Sequence, residues 1–290
     1  TPGLVEKIAK QTGFVQRESG LGGIEFLGVM TQGLFSFPDS SLSQMSAMAA
    51  DFNPDLDISK QGIDGRINEK GASFLRIMLS KALELSTSRL IDEEVPSLLN
   101  SFQKVHLLDS TYIPLPEKLS SVWRGSGGDG SKAGMKLQLM IEYKSGKYER
   151  IITTDGVTPD QKYMDQVIKL IGKNELLIYD LGYFKQKYMI DISQKGSYFV
   201  SRFNHQVNLY ERYIDETTGE EGFKRFNLEK ELRDLEVRKE SFREFGLWMC
   251  NSGKAIEIRL IVEKVPKSVA EQRGKKAKRK AGKKKRKPTP

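Results

Sequence analysis

The sequence predicts an α/β fold (α+β overall), built around a mixed β-sheet flanked by helices. Two observations lead to this class. Helical periodicity fills the first hundred residues, and the pattern then changes to short strands, some joined by tight turns and others through helices. Strands joined by tight turns pair antiparallel, whereas strands joined through helices are parallel crossovers. At 290 residues the chain is long enough for two or three domains.

Residues 1–102 are predicted to form an N-terminal helical domain. Apolar residues recur every three or four positions in 42–52 and again in 72–86, and helix-start signals lie at 38–40 and at Ser59. Short helices with glycine-containing turns suit a DNA-binding helix-turn-helix, but a plain helical bundle has the same pattern. Because residues 1–100 carry a net charge of −4, DNA contact there would need a local face.

Residues 103–207 are predicted to form the central sheet. Its strand segments, in chain order, are 105–116, 135–143, 147–155, 175–180 and 197–204. A helix is expected on each side of the fourth strand, the first of them with Pro159 in its first turn. In such a sheet the first and fourth strands are neighbours. The glycine-rich segment 123–134 fits a flexible loop, since it has neither a Walker pattern nor a G-x-G-x-x-G that opens a helix.

Residues 208–290 are predicted to be β-rich and to end in a basic tract. Two hairpins are expected, with a short helix between them over 227–236. The tract 273–287 holds 11 basic residues and no acids, so the rest of the chain carries a net charge of −2. Such a run binds polyphosphates without sequence preference, through counterion release. A solvated basic tail is the alternative.

Two carboxylates are candidate metal ligands. Asp109 follows the apolar run 105–108, and Asp180 follows the apolar run 176–179. If the first and fourth strands are neighbours, these acids lie side by side, and a hard divalent cation relieves their repulsion. Such an ion keeps positions open for water and phosphate, which suits phosphoryl transfer. The alternative is that Asp180 and the glycine turn behind it merely terminate a strand.

Other polar residues give weaker signals. Asp155 and Asp160 have the pattern of turn and helix-cap residues, and the two histidines, His106 and His205, are too few to make a zinc site. The single cysteine, Cys250, excludes an internal disulfide and fits a reducing cytosol. No apolar run approaches the length of a membrane span, so we expect a cytoplasmic protein.

The stretches LLDSTYIPLP, AGMKLQLMIEY, ITTDGVTPD and LLIYDLGYF, in this order, resemble the DDE transposases of bacterial insertion sequences, and most closely the insertion-sequence "four" family. That family carries D-[ST]-T after its first strand and D-x-G-[YF] after its fourth. The resemblance covers about residues 20–285. It implies a ribonuclease-H-like catalytic domain, a helical region in front of it and a β-rich insertion.

The resemblance also implies function. It implies a nucleoid-associated bacterial enzyme that cuts double-stranded DNA at element ends and joins it to target DNA, as a homodimer in the DNA complex. Asp109 and Asp180 would be catalytic and bind Mg²⁺ or Mn²⁺. Arg202 would face DNA, with a surface charge at a strand end as the alternative. The tract residues expected to bind DNA are Lys275, Lys276, Lys278, Arg279, Lys280, Lys283, Lys284, Lys285, Arg286 and Lys287.

The third acid of this family is a glutamate in the pattern Y-x2-R-x3-E-x6-K. Four R-x3-E matches occur, and each lacks the tyrosine and the lysine: Arg89/Glu93, Arg212/Glu216, Arg225/Glu229 and Arg259/Glu263. We therefore expect this glutamate beyond residue 290, in a C-terminally truncated transposase with weak or no strand transfer. A non-catalytic DNA-binding regulator or inhibitor is one alternative. A simple ribonuclease-H-like nuclease that uses Asp155 or Asp160 is another.

Overall fold

The computed structural model describes residues 2–16, 20–37, 39–90, 96–126, 131–237, 240–266 and 268–275, with the backbone alone at 86–90 and 235–237. The chain divides into two compact units. The helical unit comprises Thr1–Ser101 and Leu139–Ile151, and the sheet unit comprises Phe102–Gln138 and Ile152–Pro290. The strands of the predicted β-rich insertion therefore belong to the same unit as most of the central sheet.

The helical unit is built around a cluster of aromatic rings. Its helices are α1 Pro2–Gln11, α2 Gly23–Gly28, α3 Leu34–Ser36, α4 Leu42–Phe52, α5 Lys60–Asp64 and α6 Glu69–Leu90, with a π-helical turn Val29–Gly33 between α2 and α3. Phe14, Phe26 and Phe74 pack with ring centroids 4.6 to 6.4 Å apart. Such pairs favour tilted and offset rings, as seen here. The helices predicted from periodicity are confirmed.

Serine caps begin two of these helices. The expected start signal at 38–40 is wrong by one residue, because Ser41 caps α4. The Ser41 hydroxyl accepts a hydrogen bond from the Gln44 N–H, and the Gln44 side chain accepts one from the Ser41 N–H at 2.8 Å. This capping box satisfies two amides that have no partner within the helix. Ser59 caps α5 as predicted, accepting from the Gly62 N–H at 3.2 Å.

The central sheet has the strand order β3-β2-β1-β4-β5. Its strands are β1 Val105–Leu115, β2 Ala133–Glu142, β3 Lys147–Asp155, β4 Leu176–Tyr179 and β5 Tyr198–Ser201. β1, β4 and β5 are parallel, whereas the four-residue turn 143–146 makes β2 and β3 an antiparallel hairpin. The predicted mixed sheet is confirmed, and its first and fourth strands are neighbours as expected.

Helices fill the two crossovers beside β4. They are α7 Met164–Leu170, before β4, and α8 Gln186–Gln194, after it. Each buries an apolar face, with Met164 and Val167 on α7 and Met189 and Ile192 on α8. The expected helix start at Pro159 is modified, since the residues after it first form a 3₁₀ turn, Asp160–Tyr163.

The described ends of the glycine-rich segment 123–134 are paired with each other. Its residues 127–130 lie outside the described part of the chain. On either side, Arg124 and Ala133 form an antiparallel bridge, and the Gly125 N–H donates to the Lys132 carbonyl at 2.7 Å. The base of the segment is therefore a short ladder.

A second sheet has the order β7-β6-β8-β9. Its strands are β6 Tyr210–Ile214, β7 Glu221–Arg225, β8 Phe242–Asn251 and β9 Lys254–Glu263, and α9 Leu228–Val237 lies between β7 and β8 in the chain. Ser252 and Gly253, with φ of 50° and 77°, form the tight turn that joins β8 to β9. Residues 268–275 are helical, and none of the described helices is long and apolar enough to cross a membrane.

His106 and Glu175 form a buried polar pair that links the beginnings of β1 and β4. The distance from His106 Nε2 to Glu175 Oε2 is 2.8 Å, and the two side chains are 0% and 8% exposed. The Gly172 N–H also donates to Glu175 Oε2 at 2.8 Å. A buried polar group costs stability unless it is hydrogen-bonded, so this pair depends on both partners.

We predict that Glu175→Ala lowers the free energy of unfolding by about 1–3 kcal/mol, because it leaves the buried His106 ring and the Gly172 N–H without this acceptor. Urea denaturation measures the change. Glu263→Ala, at the exposed end of β9, is the control and should have little effect. Equal losses in the two variants would contradict a structural role for the pair.

Candidate active site

The register between β1 and β4 brings two acids together. Paired residues run in parallel and end at Leu108 and Tyr179, both buried. The residue that follows each of these is an exposed aspartate: Asp109 follows Leu108, and Asp180 follows Tyr179. Because neighbouring strands lie about 4.8 Å apart, continuing the register by one residue places these carboxylates side by side.

Asp109 lies within its strand, in agreement with the strand predicted over 105–116. β1 continues to Leu115, whereas β4 stops at Tyr179. Asp109 therefore lies where β1 extends beyond its parallel neighbour β4, and Asp180 lies directly after the end of β4. Both carboxylates are open to solvent at this step in the sheet.

Arg202 lies beside Asp180. It follows β5, whose last residue, Ser201, pairs with Tyr179. Arg202 Nη1 is 3.5 Å from Asp180 Oδ1, and the two side chains are 70% and 57% exposed. An ion pair this exposed contributes only about 0–1 kcal/mol to stability. The guanidinium is thus held near the acids at little energetic gain and remains accessible to a solvent-borne anion.

The turn after Asp180 is a short 3₁₀ helix, Leu181–Tyr183. The Tyr183 N–H donates to the Asp180 carbonyl at 3.1 Å and closes the turn. Gly182 is needed here for space, since a Cβ at this position would lie 3.0 Å from Asp160 Oδ2. The glycine of the D-x-G-[YF] pattern is therefore explained by the close approach of a second carboxylate.

Asp160 is not a helix cap, which corrects that expectation. Its Oδ1 accepts hydrogen bonds from Lys136 Nζ at 3.1 Å and from Gln138 Nε2 at 2.9 Å, both on β2. Its side chain is 18% exposed. Asp160 is therefore committed to internal contacts rather than presented to solvent.

Asp155 acts as a turn residue, as expected. Its carboxylate accepts a hydrogen bond from the Thr158 hydroxyl and another from Arg124 Nε at 3.1 Å. The hydrogen bond from Thr158, with a further contribution from the Arg124 guanidinium, lowers the pKa of Asp155 below its usual value. These contacts keep Asp155 ionised and occupied within the turn.

The sequence predicts no role for three residues around Asp160, although each lies in a stretch that carries the family resemblance: Lys136, Gln138 and Tyr183. The available signal was weak. Lys136 and Gln138 are polar and two positions apart, so they share one face of an otherwise mostly apolar strand. That spacing predicts that the two side chains lie together, but it does not predict that they contact Asp160.

The described residues contain no group of three or more His, Cys, Asp or Glu side chains that would hold a metal ion. Asp109 and Asp180 offer two carboxylates. Mg²⁺ is commonly held by one or two carboxylates together with water and substrate phosphates, so this donor set fits a hard divalent ion. Of the R-x3-E matches, those at Arg212 and Arg259 begin on strands β6 and β9. The match at Arg225 runs from the end of β7 into α9, where Glu229 lies without the tyrosine and lysine of the family pattern.

These features define a class of protein, the ribonuclease-H-like domain, here with one acid on β1 and one directly after the parallel strand β4. The chain belongs to the transposase DDE domain family, which its residues 100–287 match. This family assignment confirms the resemblance seen in the motifs of β1 and β4.

The relatives that the chain matches are insertion-sequence transposases. It is 29% identical over 211 residues to the transposase for insertion sequence element IS231B of Bacillus thuringiensis subsp. berliner, and 31% over 214 residues to that for IS231C of the same subspecies. It is 28% identical over 208 residues to the transposase for IS1151 of Clostridium perfringens. Each match covers 71% of this chain and 43% of the relative, so the chain spans less than half of their length.

Among solved structures, the chain is similar to the piggyBac transposase in a cryo-EM structure of its synaptic complex with hairpin DNA. The TM-score is 0.35 and the sequence identity 13%, over 91% of this chain and 59% of the other. At that TM-score the likeness supports no conclusion about this chain.

We predict that Gly182→Ala destabilises the protein by about 1–3 kcal/mol, because its methyl group meets the Asp160 carboxylate. Gly246→Ala on β8 is the matched control, since a Cβ there has only Glu257 Oε1 at 3.9 Å. The control should be neutral or slightly stabilising. Urea unfolding of both variants makes the comparison, and equal stabilities would show that the space beside Gly182 is not limiting.

Proposed function

We propose that the protein acts in DNA transposition, as the part of an insertion-sequence transposase that carries the first two catalytic acids, Asp109 and Asp180. One observation carries the proposal. The β1–β4 register sets two exposed aspartates side by side in a chain of the transposase DDE domain family. Adjacent like charges are unfavourable unless something between them compensates.

In this proposal Asp109 and Asp180 hold Mg²⁺ or Mn²⁺. When bound, the ion supplies charge stabilisation for phosphoryl transfer and activation of a water or a 3′-hydroxyl. The two aspartates orient the ion at the step between β1 and β4. Arg202, exposed beside Asp180, binds a DNA phosphate, a role that suits the planar guanidinium.

The substrate is double-stranded DNA, cut at the ends of the element and joined to target DNA. A homodimer assembles on that DNA, in the bacterial cytoplasm at the nucleoid. The basic tract supports the choice of DNA, because its charge binds phosphates without reading sequence. Lys275 ends the helical segment 268–275, and the other tract residues, Lys276 to Lys287, lie outside the described residues.

None of the four R-x3-E matches has the tyrosine and lysine of the family pattern. The proposed site within these 290 residues therefore consists of two carboxylates. Ligand charge and number set the affinity for hard divalent ions, so we expect weak metal binding and weak or absent strand transfer by this chain alone.

We predict that Asp109→Asn and Asp180→Asn each weaken Mn²⁺ binding by at least about tenfold. Substitutions of residues that only support metal ligands already cost about that much, so the loss of a ligand itself should cost no less. Titration of the 290-residue chain, followed by the electron paramagnetic resonance of free Mn²⁺, measures the affinity. Asp155→Asn is the control, because the Asp155 carboxylate is engaged by Thr158 and Arg124. A wild-type chain that binds no Mn²⁺, or a control that loses as much affinity, would refute the assignment.

A second candidate function, a non-catalytic DNA-binding regulator, is favoured by the missing glutamate pattern. Asp180→Ala separates the two. We predict that it abolishes whatever Mn²⁺-dependent nicking of element-end DNA the wild type shows, while DNA affinity in a gel-shift titration changes less than about threefold. Wild-type protein that binds DNA but never nicks it, at any Mn²⁺ concentration, would favour the regulator instead.

A further inference from the structure

We propose that Tyr183, Gln138 and Asp160 form a positioning network, a buried chain of hydrogen bonds that holds the turn bearing the Asp180 carboxylate. The structural part of this inference stands alone, whereas its consequence for metal binding rests on the proposed function. The network lies wholly within the sheet unit, on β2, the 3₁₀ turn Asp160–Tyr163 and the turn after β4.

The chain of hydrogen bonds starts at Tyr183. This residue is 1% exposed, and its hydroxyl donates to Gln138 Oε1. Gln138 is fully buried on β2, and its Nε2 donates onward to Asp160 Oδ1 at 2.9 Å. Each polar atom on this path has a partner, which is the condition under which a buried polar network makes one conformation rigid.

Lys136 anchors the far end of the chain. Its Nζ donates to Asp160 Oδ1 at 3.1 Å and to the Thr158 carbonyl at 2.9 Å. The two charged side chains are each about one-fifth exposed, so solvent screens them only in part. With donors from Lys136 and Gln138 on the same oxygen, the Asp160 carboxylate is fixed in place.

The network reaches Asp180 through the backbone. Tyr183 closes the turn by donating its N–H to the Asp180 carbonyl at 3.1 Å, and Gly182 packs against the fixed Asp160 carboxylate. The contacts of the Asp180 side chain are too weak to fix its position. The side chain is 57% exposed, and its contact with Arg202 is 3.5 Å long. The place of the carboxylate therefore depends on the turn that carries it.

Tyr179 offers an internal comparison. It immediately precedes Asp180 and is buried like Tyr183, but its hydroxyl has no hydrogen-bond partner among the described residues. Burial raises the pKa of both tyrosines above the usual value. Tyr179 thus contributes packing, whereas Tyr183 contributes packing and a bond that a phenylalanine of the same shape would lack.

The test compares Tyr183→Phe with Tyr179→Phe in the full chain by amide hydrogen exchange. We expect Tyr183→Phe to speed exchange in residues 180–184 by roughly fivefold, the factor that one lost hydrogen bond corresponds to. Tyr179→Phe should leave exchange there unchanged. The double variant Gln138→Leu/Tyr183→Phe should exchange no faster in residues 180–184 than Gln138→Leu alone, because both substitutions interrupt the same chain of hydrogen bonds.

Two results would overturn the inference. One is equal exchange in Tyr183→Phe and Tyr179→Phe, and the other is acceleration spread evenly over the chain, which would mean a general loss of stability. Mn²⁺ affinity gives the second readout, and Tyr183→Phe should lower it while Tyr179→Phe does not. If wild-type protein binds no Mn²⁺, the proposed function fails, and the exchange comparison still decides whether the network positions Asp180.

Discussion

The register between β1 and β4 is the constraint on which the candidate site depends. A slip of one residue would turn Asp109 to the opposite face of the sheet and separate it from Asp180. Buried neighbours oppose such a slip, with Leu108 against Tyr179 at one end of the pairing and the His106–Glu175 contact at the other. The position of two exposed acids is therefore decided by the buried residues behind them.

The site combines a rigid support with solvent-exposed chemistry. Two carboxylates and a guanidinium stand where β4 and β5 stop and β1 continues, so water and a large anion reach them. The surroundings of Asp180 are ordered through hydrogen bonds that end on Asp160, a third acid whose Oδ1 accepts from Lys136 and Gln138. Asp160 thus stabilises the structure around the site, whereas Asp109 and Asp180 face solvent, although all three are aspartates near the end of β4.

Much of this arrangement could be predicted from the sequence, because it depends on local signals. Apolar runs and tight turns predicted the strands, and the crossover rule predicted that the first and fourth strands are neighbours. The contacts of Asp160 could not be predicted, since they join residues 22 and 24 positions apart that no short motif links. By contrast, the extended pattern of 105–116 already predicts that β1 continues past Asp109.

The proposed function requires that Asp109 and Asp180 share a divalent ion. A crystal structure of the chain grown with Mn²⁺, measured at a wavelength that reveals its anomalous scattering, tests the claim most directly. We predict an anomalous peak bonded to carboxylate oxygens of both residues, at about 2 Å, the range of hard divalent ions such as Mg²⁺. Carboxylates that point apart with no peak between them, or a peak held by other residues alone, would contradict it.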